Sequence, residues 1–185
     1  IISLFSQTIE DLAEGEMLQM QRADDCTTTF DDYTAIIYRK TASLFISSMC
    51  TVAVAEGASK EVEEGIRKFA YCLGISFQMR DDILDYSATI QDGKDVGSDL
   101  AERKITLPLL CAFENCPEKE GYIRSLIRDI DVTKGADQTR NTEIIKEVRQ
   151  YVLDNNGVQS AKLRLNDYIS TSVDSLSVLP DTPYR

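Results

Sequence analysis

Apolar side chains recur along most of the chain at the three- to four-residue spacing of an amphipathic α-helix, without strand-like alternation. The sequence therefore predicts an all-α fold. The apolar stretches are separated by glycine, proline and Asp or Asn pairs, which begin or end helices. The predicted helices cover residues 1–22, 31–56, 60–87, 106–116, 118–131, 138–155 and 157–178. One long irregular stretch, 88–104, has a length that usually carries function in a compact domain.

The composition excludes several kinds of catalytic and binding site. The 185 residues include no histidine, which excludes Ser-His-Asp and Cys-His catalysis and His-ligated zinc. A formal charge of −11 argues against nucleic acid as a partner, and also against anionic small molecules unless a cation intervenes. No apolar run reaches the length of a transmembrane segment. Five cysteines without a Cys-x-x-Cys pair predict reduced thiols in a cytoplasmic protein.

One polar stripe interrupts the otherwise apolar helix predicted at 60–87. The stripe covers roughly a third of the circumference and consists of Gly74, Gln78, Asp81, Asp82 and Asp85. Its three carboxylates repel one another, and burying them would cost far more. A bound Mg²⁺ would remove that conflict, because it takes one or two carboxylates and completes its shell with water and phosphate oxygens. A solvated acidic helix end is the alternative; Gln78, and the space expected beside Gly74, favour the metal site.

A lysine breaks the apolar face of the helix predicted at 31–56. Tyr33 and Ile37 belong to that face, and Lys40 projects from it beside Thr41. A lysine in this place either extends its ammonium group to solvent or binds an anion. A cation facing the carboxylate stripe would suit a phosphate held by Mg²⁺. Lys40 is therefore a candidate anion contact.

Two further groups of polar residues are candidates of the same kind. On the first predicted helix, an apolar stripe continues into Glu16 and Gln19, with Glu14 directed to solvent. This continuation indicates either the lip of a pocket or a helix end that emerges into water. In the long loop, Lys94 and Lys104 are candidate phosphate contacts, because the backbone near its glycines can approach a phosphate closely. We interpret the remaining charges as those of an ordinary polar loop: Asp95, Glu102 and Arg103.

Five segments together resemble four motifs of the trans-prenyl diphosphate synthases. Residues 74–85, GISFQMRDDILD, resemble the second aspartate-rich motif. The segments GKDVGSDL at 93–100 and KITLPLL at 104–110 resemble the signature that follows it. Upstream, YRKTA at 38–42 resembles the Lys-Thr motif, and EGEMLQ at 14–19 resembles the helix that carries Gly-Gln or Gly-Glu. The motifs occur in the family's order and spacing and cover the first 110 residues.

The resemblance implies an isoprenoid-synthase-type helical bundle and a metal-assisted chain elongation. Members of the family ionise an allylic diphosphate, and the double bond of isopentenyl diphosphate attacks the resulting cation. Up to three Mg²⁺ ions draw charge off the leaving diphosphate. That diphosphate accepts the proton lost from the product, so the absence of histidine is no obstacle.

The resemblance also assigns roles to individual residues. The implied metal ligands are Asp81, which binds directly, and Asp82 and Asp85, which bind directly or through water. The implied contacts to the allylic diphosphate are Lys40, Lys94 and Lys104. The groups implied to stabilise the allylic cation are Thr41, Gln78 and the Lys40 carbonyl. The remaining implied substrate-binding residues are Glu16 and Gln19.

The chain also departs from the family pattern. It lacks the first aspartate-rich motif with its following arginines, the Gly-Lys-Arg segment that binds isopentenyl diphosphate, and the last helix. We therefore expect residues 1–185 to be the C-terminal part of a single prenyl synthase domain, with N-terminal helices and the last helix missing, and to be inactive alone. The resemblance further implies a homodimer, and Gly-Glu at 15–16 favours a long product such as octaprenyl.

Two alternatives remain open on the sequence. A terpene cyclase of the same all-α fold would carry an Asn-x-x-x-Ser-x-x-x-Glu pattern where this chain has Asp-Asp-x-x-Asp. A non-catalytic regulatory subunit of a heteromeric synthase would not need Lys40, Gln78 and Asp81, all of which are present. An upstream Asp-Asp-x-x-Asp followed by two arginines would decide for the enzyme.

Overall fold

The computed structural model describes residues 1–87, 97–133 and 138–181, and every regular element among them is helical. The all-α prediction is thereby confirmed. The α-helices are α1 (Ile2–Asp25), α2 (Phe30–Ile37), α3 (Ser43–Ala55), α4 (Lys60–Ser87), α5 (Ser98–Ala101), α6 (Leu107–Asn115), α7 (Glu120–Arg128), α8 (Gln138–Asp154) and α9 (Gly157–Ser175). The other helical segments are a π-helix at Tyr38–Ala42 and 3₁₀ turns at Pro117–Lys119 and Leu176–Val178. None of the helices in these ranges is long and apolar enough to cross a membrane.

The chain divides into two compact units. The segments of the first unit are Ile1–Met17, Thr34–Gln78 and Arg164–Arg185. Ile46 and Cys50 of α3 pack with Ala70 of α4 at the centre of its core. A chain of aromatic contacts adds to this core, because the Tyr71 ring lies 6.1 Å from that of Tyr38 and 6.4 Å from that of Tyr168. The predicted single domain for residues 1–185 stays a prediction.

The second unit is built around α6. Its segments are Leu18–Tyr33 and Met79–Leu163. Thr106 is extended, Pro108 follows in the first turn where its missing N–H costs nothing, and α6 is buried from Leu107 to Phe113. The Tyr151 hydroxyl of α8 donates to the carbonyl oxygens of Ala112 (3.1 Å) and Cys116 (2.7 Å). The hydroxyl hydrogen is shared between the two carbonyls, and it joins α8 to the end of α6, where the Cys116 N–H also donates to the Ala112 carbonyl (3.0 Å).

The helix predicted at 31–56 is interrupted, and that prediction is wrong in this respect. A π-helical segment, Tyr38–Ala42, separates α2 from α3 and contains the Lys-Thr motif. Glycines on two other helices make room for it. A Cβ atom at Gly15 of α1 would lie 2.8 Å from Lys40 Cγ, and one at Gly74 of α4 would lie 2.5 Å from Ala42 Cα. The space predicted beside Gly74 is therefore filled by Ala42 rather than open to a ligand.

The apolar surfaces of α1 and α4 are partly exposed. Ile9 on α1 is 69% exposed and Phe77 on α4 is 55% exposed. The buried residues of α1 are instead Thr8, Asp11 and Gly15. On α1, Gly15 packs against Arg39 and Lys40, so the side of the helix that carries Thr8 and Asp11 is buried. On α4, residues 69–79 are apolar around most of the circumference, so periodicity could not select one inward side of these turns.

The cysteines are structural. All five are free thiols, as predicted; Cys116 is half-buried, and the four buried ones are Cys26, Cys50, Cys72 and Cys111. Burial raises the pKa of the Cys26, Cys50 and Cys72 thiols, which makes the reactive thiolate scarce.

Candidate active site

The Lys-Thr motif and Gln78 are in direct contact in the first unit. Thr41, on the π-helical segment, donates its hydroxyl hydrogen to Oε1 of Gln78 on α4 over 2.9 Å, across 37 positions of sequence. Both side chains are half-buried. The two side chains predicted to stabilise a cation are therefore adjacent. Hydroxyl and amide oxygens of this kind can stabilise a positive charge that develops beside them.

Lys40 lies beside this pair and forms an ion pair with α1. Its Nζ atom is 2.9 Å from Oε1 of Glu16, and the neighbouring Arg39 Nε is 3.1 Å from Oε2 of Glu14. The Glu14 side chain is 54% exposed, as expected for a residue directed to solvent, and it also pairs with Arg39. The Lys40 side chain is 24% exposed and Glu16 is 57% exposed. Exposed ion pairs are worth about 0–1 kcal/mol, so a more highly charged anion could replace Glu16 at Lys40.

The three aspartates of α4 lie in the second unit, in three different environments. Asp81 is exposed. Asp82 is 3% exposed and accepts the hydroxyl hydrogen of Tyr33 over 2.6 Å. Asp85 is half-buried, and its Oδ1 atom accepts hydrogen bonds from the Ser98 N–H (3.1 Å) and the Ser98 hydroxyl (2.8 Å). Of the three carboxylates, Asp81 is therefore the one presented to solvent.

Asp99, on α5, belongs to the same acidic group and was not among the predicted site residues. Burial raises its pKa to about 6, helped by the negative charges of Asp85 and Asp81 and opposed by Lys104. The Lys104 ammonium lies 3.9 Å from Asp99 Oδ1 and 2.5 Å from Glu102 Oε2. The predicted phosphate contact Lys104 is thus paired with carboxylates. Glu102, assigned to an ordinary polar loop, is one of them. The signal that could have found Asp99 is its place in the GSDL segment of the downstream motif.

The carboxylates of this acidic group fit Mg²⁺ only if water and phosphate oxygens supply most of its ligands. Carboxylate oxygens are the ligands that Mg²⁺ prefers, and a divalent cation relieves repulsion such as that between Asp99 and Asp85. Within residues 1–87, 97–133 and 138–181, however, no three His, Cys, Asp or Glu side chains lie close enough together to hold a metal ion. The arrangement suits an ion held by one or two protein carboxylates, with water and phosphate oxygens completing its shell.

The two remaining predicted residues are Lys94 and Gln19. Lys94 lies outside the described residues. Gln19 is half-buried on α1, in the second unit, about one helical turn beyond Glu16. The roles of both residues stay predictions.

Comparison with known proteins identifies the family. The sequence matches the polyprenyl synthetase family over residues 1–148, a range that contains all four motifs. The chain belongs to the polyprenyl synthetase family. The resemblance read from the motifs is thereby confirmed. Octaprenyl diphosphate synthase of Escherichia coli (strain K12) is 33% identical over 187 residues, which is 100% of this chain and 55% of that protein.

Solved structures of polyprenyl synthetases share the fold. Heptaprenyl diphosphate synthase from Staphylococcus aureus superposes with a TM-score of 0.83 at 29% identity, covering 97% of this chain and 54% of that one. A polyprenyl synthase from Caulobacter crescentus, solved in complex with calcium and isoprenyl diphosphate, superposes with a TM-score of 0.81 at 27% identity, over 98% of this chain and 53% of that one. The chain spans about half the length of the relatives it matches.

Proposed function

We propose that the complete protein containing this chain is a trans-polyprenyl diphosphate synthase. It joins isopentenyl diphosphate to an allylic diphosphate and repeats the step to build a long all-trans chain. The observation that carries the proposal is the 2.9 Å hydrogen bond from Thr41 to Gln78, which joins two family motifs beside Lys40. The family match over residues 1–148 and the octaprenyl synthase relative support it.

Lys40 binds the allylic diphosphate by exchanging its Glu16 partner for phosphate oxygens. The exchange is favourable because a diphosphate carries more charge than one half-exposed carboxylate. Lys104 binds the same group by a similar exchange with Glu102, and Lys94 contributes a third cation by resemblance. Glu16 and Gln19 line the substrate pocket on α1.

The metal is held by aspartates at the end of α4. Asp81 is the direct ligand because it is the exposed carboxylate of the motif, and Asp85 lies on the same helix one turn later. Mg²⁺, when bound, supplies the positive charge that makes diphosphate a good leaving group. The calcium and diphosphate complex of the Caulobacter relative supports a cation and a diphosphate as the ligands of this fold.

Thr41 and Gln78 act on the cation. The allylic carbon–oxygen bond breaks, and the oxygens of Thr41, Gln78 and the Lys40 carbonyl stabilise the positive charge left on the allyl group. The double bond of isopentenyl diphosphate then forms the new carbon–carbon bond. The proton released from that unit passes to the departed diphosphate, so no histidine is required.

Assembly, product and location follow from the resemblance. We propose a homodimer in the cytoplasm and an octaprenyl-type product. The 185 residues contain one Asp-Asp-x-x-Asp motif, at 81–85. Because the reaction needs two such motifs, the 185-residue chain alone should not transfer prenyl groups, and measurable product from it would contradict this.

The test uses the complete protein with Mg²⁺, radiolabelled isopentenyl diphosphate and farnesyl diphosphate, with products separated by chain length. We expect long-chain products. Lys40→Gln should raise the KM for the allylic diphosphate about tenfold to hundredfold, since a charged hydrogen bond contributes about 1.5–3 kcal/mol. Lys68→Gln, at an exposed lysine of the same unit, should match the unmodified protein. A folded protein that elongates nothing would contradict the proposal and favour the non-catalytic subunit.

A further inference from the structure

A short hydrogen bond joins the aspartate-rich motif to Tyr33, a residue to which no role has been assigned. The Tyr33 hydroxyl donates to Oδ2 of Asp82 over 2.6 Å, and each residue is 3% exposed. A hydroxyl-to-carboxylate bond of this length is charge-assisted and stronger than a neutral one. Burial and the neighbouring charge of Asp82 raise the pKa of Tyr33 well above its ordinary value, so the phenol stays a donor.

The backbone just before Tyr33 is fixed by a capping box at the start of α2. The Thr29 hydroxyl accepts a hydrogen bond from the Asp32 N–H (3.1 Å), and Oδ2 of Asp32 accepts one from the Thr29 N–H (3.0 Å). Arg22 Nε lies 2.9 Å from the other oxygen of Asp32. Such reciprocal caps satisfy two orphan donors and set the entry of the helix. Tyr33 follows directly, so its ring starts from a constrained position.

The turn that leads into this cap is held by an arginine of α7. Arg124 donates to the carbonyl oxygens of Cys26 (2.8 Å) and Thr28 (3.0 Å), and its guanidinium carbon lies 4.7 Å from the centre of the Phe113 ring. The Arg124 side chain is only 17% exposed. The turn is thus attached to the core of the second unit. A rigid base of this kind suits a side chain that must hold another in place.

We infer that Tyr33 is a positioning residue for the metal site, and that Asp82 acts through Tyr33 instead of binding metal directly. The inference rests on the proposed function. Tyr33 and Asp82 connect α4 to the start of α2 at the level of Asp81. This connection fixes the rotation of α4 and therefore the direction in which the exposed Asp81 carboxylate is presented. Partners one step removed from a metal typically change affinity or activity 10- to 100-fold when they are lost.

The two assignments for Asp82 predict opposite results from conservative variants. An asparagine at 82 keeps a carbonyl oxygen that can accept the Tyr33 hydrogen bond, whereas an alanine does not. A direct metal ligand would be lost in both variants. Phenylalanine at 33 removes the hydroxyl and keeps the ring, which would be harmless if Tyr33 only filled space.

The experiment uses the complete protein and counts Mn²⁺ ions bound in the presence of inorganic pyrophosphate, by electron paramagnetic resonance. The variants are Tyr33→Phe, Asp82→Asn, Asp82→Ala and Asp81→Asn. The matched control is Tyr122→Phe, since the Tyr122 hydroxyl donates to a Glu147 carboxylate over 2.8 Å on the surface. Values of kcat and KM and thermal unfolding are measured for each protein.

We expect Asp82→Asn to bind the same number of Mn²⁺ ions as the unmodified protein and Asp81→Asn to bind one fewer. Tyr33→Phe and Asp82→Ala should each lower kcat about 10- to 100-fold, with smaller changes in KM, and Asp82→Asn should lose less than tenfold. Loss of one ion in Asp82→Asn would overturn the inference. So would a Tyr33→Phe protein that behaves like Tyr122→Phe. If Tyr33→Phe does not fold, the ion count of Asp82→Asn decides alone.

The proposed function can fail separately. An unmodified protein that binds Mn²⁺ with pyrophosphate but elongates no substrate would refute prenyl transfer, while the ion counts would still decide the role of Asp82. An unmodified protein that binds no Mn²⁺ under these conditions would refute both.

Discussion

The candidate residues of the first unit hold one another, whereas those of the second unit are held by residues outside the predicted set. In the first unit, Thr41 donates to Gln78 and Lys40 pairs with Glu16. In the second, Asp82 is held by Tyr33 and Asp85 by Ser98. The difference follows from charge. In the first unit, the candidate lysine is paired with a candidate carboxylate. In the second unit, Asp82 and Asp85 accept hydrogen bonds from neutral hydroxyl groups, although Lys104 pairs with Asp99.

The second unit retains an excess of negative charge after these contacts. Asp99 shows it most clearly, because burial and the nearby carboxylates raise its pKa to about 6. The first unit offers exchangeable cations, and the second offers carboxylates that a divalent cation would relieve. A divalent cation bound at these carboxylates would reverse the local charge, so under the proposed function the negative net charge of the chain does not exclude anionic substrates.

The largest expected effect is the removal of the exposed carboxylate. Asp81→Asn should lower kcat by roughly 10²–10³, the usual cost of one group that stabilises developing charge. Steady-state kinetics of the complete protein measure it. Asp174→Asn, at an exposed aspartate of α9, should have no effect. Near-normal turnover by Asp81→Asn would contradict the assignment of the metal site.

The next largest expected effect is a loss of stability when the close contact between Gly74 and Ala42, beside the Lys-Thr motif, is disturbed. Gly74→Ala would place a methyl group 2.5 Å from the Ala42 Cα, so it should lower the free energy of unfolding by about 3 kcal/mol. Gly121→Ala on α7 meets nothing within 4 Å and should raise it by about 0.5–1 kcal/mol. Urea unfolding of both proteins tests this. Equal stabilities would show that the close approach at Gly74 is not needed.

A smaller effect should come from the Thr41–Gln78 pair. Thr41→Val and Gln78→Leu should each lower kcat about tenfold with little change in KM, and the double variant should lose little more than either single one. The expected coupling is about 1 kcal/mol, the contribution of one neutral hydrogen bond. Additive losses in this double-mutant cycle would mean that the two residues act independently.

The smallest expected effect distinguishes Glu16 from Glu14, two of the glutamates of α1. Glu16→Gln removes the carboxylate that competes for Lys40, so the KM for the allylic diphosphate should fall about two- to fivefold, the range of an exposed ion pair. Glu14→Gln affects Arg39 instead and should leave this KM unchanged. A higher KM in Glu16→Gln would show that Glu16 assists substrate binding.

The hydrophobic periodicity of the sequence was enough to predict most of the helices, but the geometry of the candidate site depends on tertiary contacts. Helix α4 spans the residues predicted for it, because its apolar run is long and has clear breaks at both ends. The π-helical segment was not predictable from periodicity, since it depends on close approach at Gly15 and Gly74, which lie far from it in the chain.

The motif residues were predictable by type, but not their partners. Tyr33 was missed because its position fits the apolar face of a helix, and nothing local indicates that its hydroxyl reaches Asp82. Asp99 was missed because a single aspartate close to a glycine is usual in a polar loop. The sequence spacing grouped Asp81, Asp82 and Asp85 on one stripe, but it could not distinguish the exposed carboxylate from the two held in hydrogen bonds.

The most direct test of the account is a crystal structure of the complete protein grown with Mn²⁺ and pyrophosphate, with the metal located by its anomalous scattering. The account predicts an anomalous peak bonded to Asp81, pyrophosphate oxygens at the ammonium groups of Lys40 and Lys104, and Asp82 still bonded to Tyr33. A peak bonded to Asp82 and not to Asp81, or pyrophosphate bound while Lys40 remains on Glu16, would contradict it.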